Sequence, residues 1–285
     1  FLFLVAVHFP AMACETNDLE SLSQRQRDSR VASLLRQTGT CLESEYIALC
    51  AASDEISATE LQAFLALADD GVRRIRSYLG SLLDIPGGNS RRVEIFVASC
   101  VGISHTTGLN EPWMFIPSRA VLRHMAPYLH ELVHVMAQWS WRKSEWVAEG
   151  FANHVASRVT DGHAGYNRSF ILPDGLARLT ELYHSPAGQE LLPLLGIPGR
   201  VRSYSAEHYV IAAKLTRSRR EYGPAYYAMT WSFVDFLLTR ISIGDLREVA
   251  QSDNPSDELV NLTGKSMERH IVEWLNSLPR TPSDG

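Results

Sequence analysis

Pro127-Tyr128-Leu129-His130-Glu131-Leu132-Val133-His134-Val135-Met136-Ala137-Gln138-Trp139 is an apolar run interrupted by two histidines and a glutamate. Pro127 suits the first turn of a helix, where its missing N–H costs nothing, and the helical pattern continues to about Trp139. His130 and His134 are i and i+4, so a helix presents both imidazoles on one face, about 6 Å apart at Cβ. One zinc ion bridges such a pair. Two ligands leave the ion in need of a third, and an open fourth position distinguishes a catalytic site from a structural one. Glu131 follows His130 directly and so stands beside the ion, where its carboxylate takes a proton from a water that the metal has made acidic. Two alternatives compete. Two core histidines without a metal would bury two imidazoles and a carboxylate at considerable cost. A closed structural zinc would need a fourth protein ligand, and no Cys or further His lies in the same helix.

A second helix begins near Ser144, a reasonable N-cap, and runs through Arg158. His130 to His134 followed by Trp146-Val147-Ala148-Glu149-Gly150-Phe151-Ala152 resembles the gluzincin clan of metallopeptidases, whose second helix carries the third ligand in a W-x-x-E-G-x-A-like segment. The likeness spans residues 127–157. Tyr227-Ala228-Met229-Thr230-Trp231-Ser232-Phe233-Val234 is similar to the helix that follows the active site in the smaller peptidase-MA-like families. The chain departs from the aminopeptidase branch in its short gap of fourteen residues between His134 and Glu149 and in lacking a G-x-M-E-N segment. It also lacks the third histidine of the metzincin motif.

The resemblance implies a Zn²⁺ site of His130, His134 and Glu149, with Glu131 as general base and peptide bonds as the target. The fourteen-residue gap allows two antiparallel helices joined by a turn at Ser140-Trp141-Arg142-Lys143, with Gly150 leaving room for metal and substrate beside Glu149. Two alternative third ligands stay open: Glu145, on nearly the same face, and His154, rotated about 140° from it. The resemblance also implies an oxyanion-stabilising role for Tyr227. Positions 227, 231, 234 and 238 form an apolar stripe, however, so a core role for Tyr227 stays open, and Tyr226 and His208 are its rivals. His105 either lines the cleft or is a surface loop residue.

Arg92 to Ala98 and Trp113 to Ile116 read as strands on either side of a polar loop, Gly102 to Asn110. In gluzincins the edge strand before the zinc helix binds extended peptide by β-augmentation, and 113–116 sits in the matching place. Residues 15–83 read as helices, with Gly71 interrupting them, and Pro86-Gly87-Gly88-Asn89 is a strong breaker. Residues 160–205, rich in Gly and Pro, read as a long irregular cover. Helices follow near 206–219, 224–240 and 266–278. The fold class expected is α+β: a zincin-like core with a small sheet and the H-E-x-x-H helix, flanked by helical N- and C-terminal regions. The organisation expected is a signal-like segment over 1–13, a helical N-terminal region over 14–85, and a catalytic domain over 86–285 with a helical C-terminal part.

Phe1 to Phe9 is almost wholly apolar and ends in Pro10-Ala11-Met12-Ala13, which reads as an export signal with a basic region expected upstream of Phe1. The protein is therefore expected in the periplasm or outside the cell. Cys14, directly after Ala13, offers lipoprotein anchoring as a second route, the one case in which a membrane would be a partner. Four cysteines, at 14, 41, 50 and 100, contain no C-x-x-C and leave three disulfide connectivities open; Cys41 and Cys50 can bridge only if the chain turns between them. A net charge of −5 supplies no basic field for nucleic acid. Asn167-Arg168-Ser169 and Asn261-Leu262-Thr263 fit the glycosylation sequon. Two rival functions remain: a zinc hydrolase of another amide, such as a cell-wall or acyl substituent, and a non-catalytic, zinc-stabilised binding protein of the cell envelope.

Overall fold

The computed structural model describes residues 22–107, 110–141, 145–160 and 223–277. The order is α1 (Gln24–Thr38), β1 (Thr40–Glu43), β2 (Ile47–Ala51), α2 (Ala58–Leu79), β3 (Val93–Ala98), β4 (His105–Thr106), β5 (Trp113–Pro117) and α3 (Ser118–Leu122). Then come α4 (Tyr128–Met136), α5 (Glu145–Val159), α6 (Gly223–Leu238), α7 (Ile243–Gln251), α8 (Pro255–Thr263) and α9 (Met267–Ser277). The fold is α+β, with one five-stranded sheet in the order β1-β2-β3-β5-β4. The three central strands are parallel, and the outer pairs, β1 with β2 and β4 with β5, are antiparallel.

Alternation along the strands gives the sheet two buried faces. Leu49, Ile95, Val97, Met114 and Ile116 point into the larger core with Phe64 and Val72 of α2 and Leu129 and Leu132 of α4. Cys50, Phe96 and Phe115 point the other way, onto Val31, Ala32 and Leu35 of α1. Sheet and core therefore run continuously across residues 85 and 86.

The helical reading of 15–83 needs correction at 40–51, which forms a hairpin. Its residues, Thr-Cys-Leu-Glu and Ile-Ala-Leu-Cys-Ala, have no strong strand preference of their own, and the pairing of β2 with β3 overrides local propensity. Asp69 of α2, buried, pins the turn by accepting from the Ser44 hydroxyl at 2.5 Å and the Tyr46 N–H at 2.9 Å. The hairpin is the turn that Cys41 and Cys50 require: they are directly opposite, 4.1 Å apart at Cα, and disulfide-bonded. Gly71 does not interrupt its helix either. A Cβ there would lie 2.7 Å from Leu129 Cδ2, so the glycine lets α2 and α4 approach closely.

A further correction concerns the edge strand. Trp113–Pro117 is an interior strand, paired with β3 on one side and with β4 on the other, so among the described residues the outer strand is His105–Thr106, within the segment read as a loop. Around the site, α4 is buried at every position from Tyr128 to Met136, with Pro127 as its N-cap. The ring of Tyr128 packs edge-on against Phe64 at 5.7 Å. At its far end the Asp84 N–H donates to the Met136 carbonyl at 2.9 Å. Helix α5 is likewise buried from Val147 through Ala156 and packs between α4 and α6. Ser144, expected as an N-cap, and the segments 160–205 and 206–219 fall largely or wholly outside the described residues. No described helix is long and apolar enough to cross a membrane.

Candidate metal centre

Helix α5 is apolar on almost every face, so each polar side chain on its buried stretch has to find a partner. It carries three: Glu149, Asn153 and His154, all 8% exposed or less. Glu149 turns to α4. Its Oε2 lies 3.1 Å from His130 Nε2 and 3.6 Å from His134 Nε2, and the two Nε2 atoms are 2.9 Å apart. The imidazole planes meet at 89°, and the three donor atoms lie within 4.8 Å of one another. Four-coordinate zinc with ligands at about 2.0–2.2 Å separates neighbouring ligand atoms by about 3.3–3.5 Å. Separations of 2.9, 3.1 and 3.6 Å bracket that figure.

Glu149 Oε2 is buried and has no hydrogen-bond donor of acceptable geometry, only the two imidazole nitrogens. Among the described residues, His130, His134 and Glu149 are the group of His, Cys, Asp or Glu side chains that could hold a metal ion. Three such donors would leave one position of a four-coordinate ion open.

Asn153, one helical turn after Glu149, supports the cluster from behind. Its Oδ1 lies 3.0 Å from His130 Nδ1, so that nitrogen carries the proton and donates, and Nε2 keeps its lone pair for the shared point. The sequence reading missed this residue, although its i, i+4 relation to Glu149 on an apolar helix was a usable signal.

Electrostatics follow the geometry. Burial works against ionising Glu149, but the facing imidazoles of His134 and His130 outweigh it and hold the carboxyl far below the usual range. Burial likewise works against a charge on His130, yet the close Glu149 carboxylate, with Glu131 and Asn153, pushes its pKa up. In the absence of a metal the cluster thus stores a proton against Glu149. Glu131 is also buried, and burial pushes its carboxyl up, opposed by His130 and His134 and reinforced by Glu149. It is 60° from His134 around the helix, beside the metal-facing side and not on it.

The other candidates separate clearly. His154 turns away, as its helical offset requires: its Nδ1 faces Asp235 Oδ1 of α6 at 2.5 Å and its Nε2 faces the Tyr78 hydroxyl of α2 at 2.8 Å. It ties three helices together and is no ligand of this cluster. Gly150 also needs correction. A Cβ there would meet the Thr230 carbonyl oxygen and Val234 Cγ2 at 2.3 and 2.5 Å, so the space it leaves is filled by α6, not by metal or substrate. His105 is a half-buried strand residue, not a surface loop residue. Tyr227 falls on α6, but its side chain, with those of Glu145 and Tyr226 and all of His208, lies outside the described residues. No protein-family model matches the chain, and no curated protein matches it.

Proposed function

We propose that this chain is a zinc metallopeptidase of the gluzincin type, with a zincin-like core, His130, His134 and Glu149 as metal ligands and Glu131 as general base. One observation carries the reading: two imidazole nitrogens and a carboxylate oxygen from two buried helices converge on one point, with a second buried carboxylate next in sequence to the first histidine. A His₂Glu set with one open position is a catalytic combination and not a structural one. A zinc ion there would supply Lewis acidity, polarising a carbonyl and lowering the pKa of a water toward about 7.

Glu131 does the proton work. Burial makes its carboxylate a better base than in water, so it takes the proton from the attacking water and hands it to the leaving amine nitrogen. Asn153 holds His130 in the tautomer that directs Nε2 inward. The proposed substrate edge moves from Trp113–Pro117 to β4. The Thr107 N–H donates to the Trp113 carbonyl, so rungs 107/113 and 105/115 are the hydrogen-bonded pairs of the ladder, and Thr106 between them turns its N–H and C=O outward. An extended peptide pairing there would run beside α4. The oxyanion role proposed for Tyr227 rests on the sequence resemblance alone. The Cys41–Cys50 disulfide supports an exported location, since such bonds persist in oxidising compartments.

The test is digestion of casein by zinc-loaded protein, with and without 1,10-phenanthroline. Cleavage that the chelator abolishes and zinc restores is expected. Hydrolysis of cell-wall or N-acyl amides with casein untouched would select the other zinc hydrolase. Bound zinc without hydrolysis of either would select the non-catalytic binding protein.

A further inference from the structure

Strand β4 pairs with β5 through His105 with Phe115 and Thr106 with Met114, extended by the Thr107 N–H to the Trp113 carbonyl, too short a ladder to define a rigid edge. His105 supplies what the ladder lacks. Its ring stacks on Phe115 at 5.2 Å with 11° between the planes. Its Nδ1 lies 3.0 Å from the Ile103 carbonyl oxygen and its Nε2 lies 3.0 Å from Asp28 Oδ1. Asp28 is on α1, against the sheet face opposite α4, and is 5% exposed. Gln24 donates to the same carboxylate oxygen at 2.7 Å and approaches His105 Nε2 at 3.2 Å.

Both ring nitrogens face oxygen acceptors, and only the imidazolium donates from both at once. A buried carboxylate also demands a counter-charge. The charged groups facing the ring are Asp28 from α1 and Glu131 from α4; β5 presents the neutral Phe115. Burial of the ring opposes its charge, but the Asp28 hydrogen bond, the Ile103 carbonyl and the charges of Asp28 and Glu131 outweigh it, and the His105 pKa is raised. Loss of the proton leaves one acceptor facing a lone pair.

We propose that His105, gripped by Asp28, is a positioning residue that fixes β4 as the substrate-receiving edge. The role rests on the peptidase reading for its substrate. Because both N–H groups are spent inside the fold, the ring has none to offer a substrate or a leaving group. The pair therefore acts on substrate affinity and not on the bond-breaking step.

The experiment uses the zinc-loaded full chain as wild type, Asp28→Asn and His105→Gln, with fluorescein-labelled casein as the probe. KM should rise about five- to twentyfold in both variants while kcat stays within about twofold. Wild-type KM should climb as pH rises through the raised His105 pKa, and that climb should vanish in His105→Gln. Hydrogen exchange over residues 103–107 should quicken about tenfold in Asp28→Asn at unchanged zinc content. Unchanged KM and exchange would overturn the proposal, and so would a fall in kcat at constant KM, which would put the ring in the chemistry. Wild-type protein that binds zinc but leaves casein intact would refute the peptidase reading and the substrate role with it. That failure is distinguishable, because wild-type cleavage with unaltered variants sinks only the role of the pair.

Discussion

Replacing Gly150 with alanine tests how the ligand helix is held. The added Cβ would stand 2.3 Å from the Thr230 carbonyl oxygen, 2.8 Å from its carbonyl carbon and 2.5 Å from Val234 Cγ2. A relaxed carbon–oxygen contact is about 3.3 Å, so α6 has to retreat by about 1 Å, and the obstructing atoms are mainly backbone and cannot swing aside. Overpacking of this kind costs about 1–3 kcal/mol. Alanine in a helix interior returns about 1 kcal/mol over glycine. With two contacts at or below 2.5 Å the upper end of the penalty applies, leaving a net loss of about 2 kcal/mol and a fall in Tm of roughly 4–8 °C for a chain of this size. The assay is thermal unfolding by circular dichroism of the metal-free protein, which removes ligand linkage from the comparison. Zinc affinity, measured separately, should also drop, because Glu149 is the preceding residue and shifts with α5. An equal or higher Tm would refute the reasoning: Gly150 would then not face α6, and the expectation that it makes room for metal and substrate would return.

Glu131→Gln should retain one zinc per chain by mass spectrometry and lose about 10²–10⁴-fold in turnover, whereas His134→Ala and Glu149→Ala should lose the metal itself. Near wild-type turnover in Glu131→Gln would remove it as the base. Asn153→Ala should weaken zinc binding about 10–100-fold in competition with a chelator, since His130 loses the acceptor that fixes its tautomer. The raised His130 pKa means that a proton occupies the site up to a higher pH than for an ordinary histidine, and zinc has to displace it. Zinc affinity should therefore fall as pH drops through that raised value, with proton release on binding detected by calorimetry in buffers of different ionisation enthalpy; no release would contradict the His130–Glu149 pairing.

The clustering of His130, His134 and Glu149 was legible from local spacing together with the resemblance that singled out Glu149. His130 and His134 share a face at i, i+4, and the gap to Glu149 fits an antiparallel return. The strands at 93–98 and 113–117 were legible from β-branched and aromatic runs. The hairpin at 40–51 was not, because Ala, Leu and Cys suit a helix as readily and only pairing with β3 makes them strands. Helices α7 and α8 carried punctuation that went unused: the Ser242 and Asp245 capping box, Pro255 at the first turn, and Gly264 as a left-handed cap. Asp28 and His105 are separated by 77 residues and meet only once α1 lies on the sheet, so no spacing rule reaches them.

One rule would have extended the reading of the site. A helix buried all round tolerates a polar side chain only where a partner awaits it, so the polar positions of such a helix report what it packs against. On α5, Glu149 and Asn153 are four apart, share a face, and serve the same histidine cluster. His154 is one position further, faces elsewhere, and serves Tyr78 and Asp235 instead. The angular positions alone separate the candidate ligand and its support from the structural tie. The residue first weighed as a rival ligand is thereby assigned to the α2–α6 side, where it helps hold α5 at the depth that brings Glu149 to the two imidazoles.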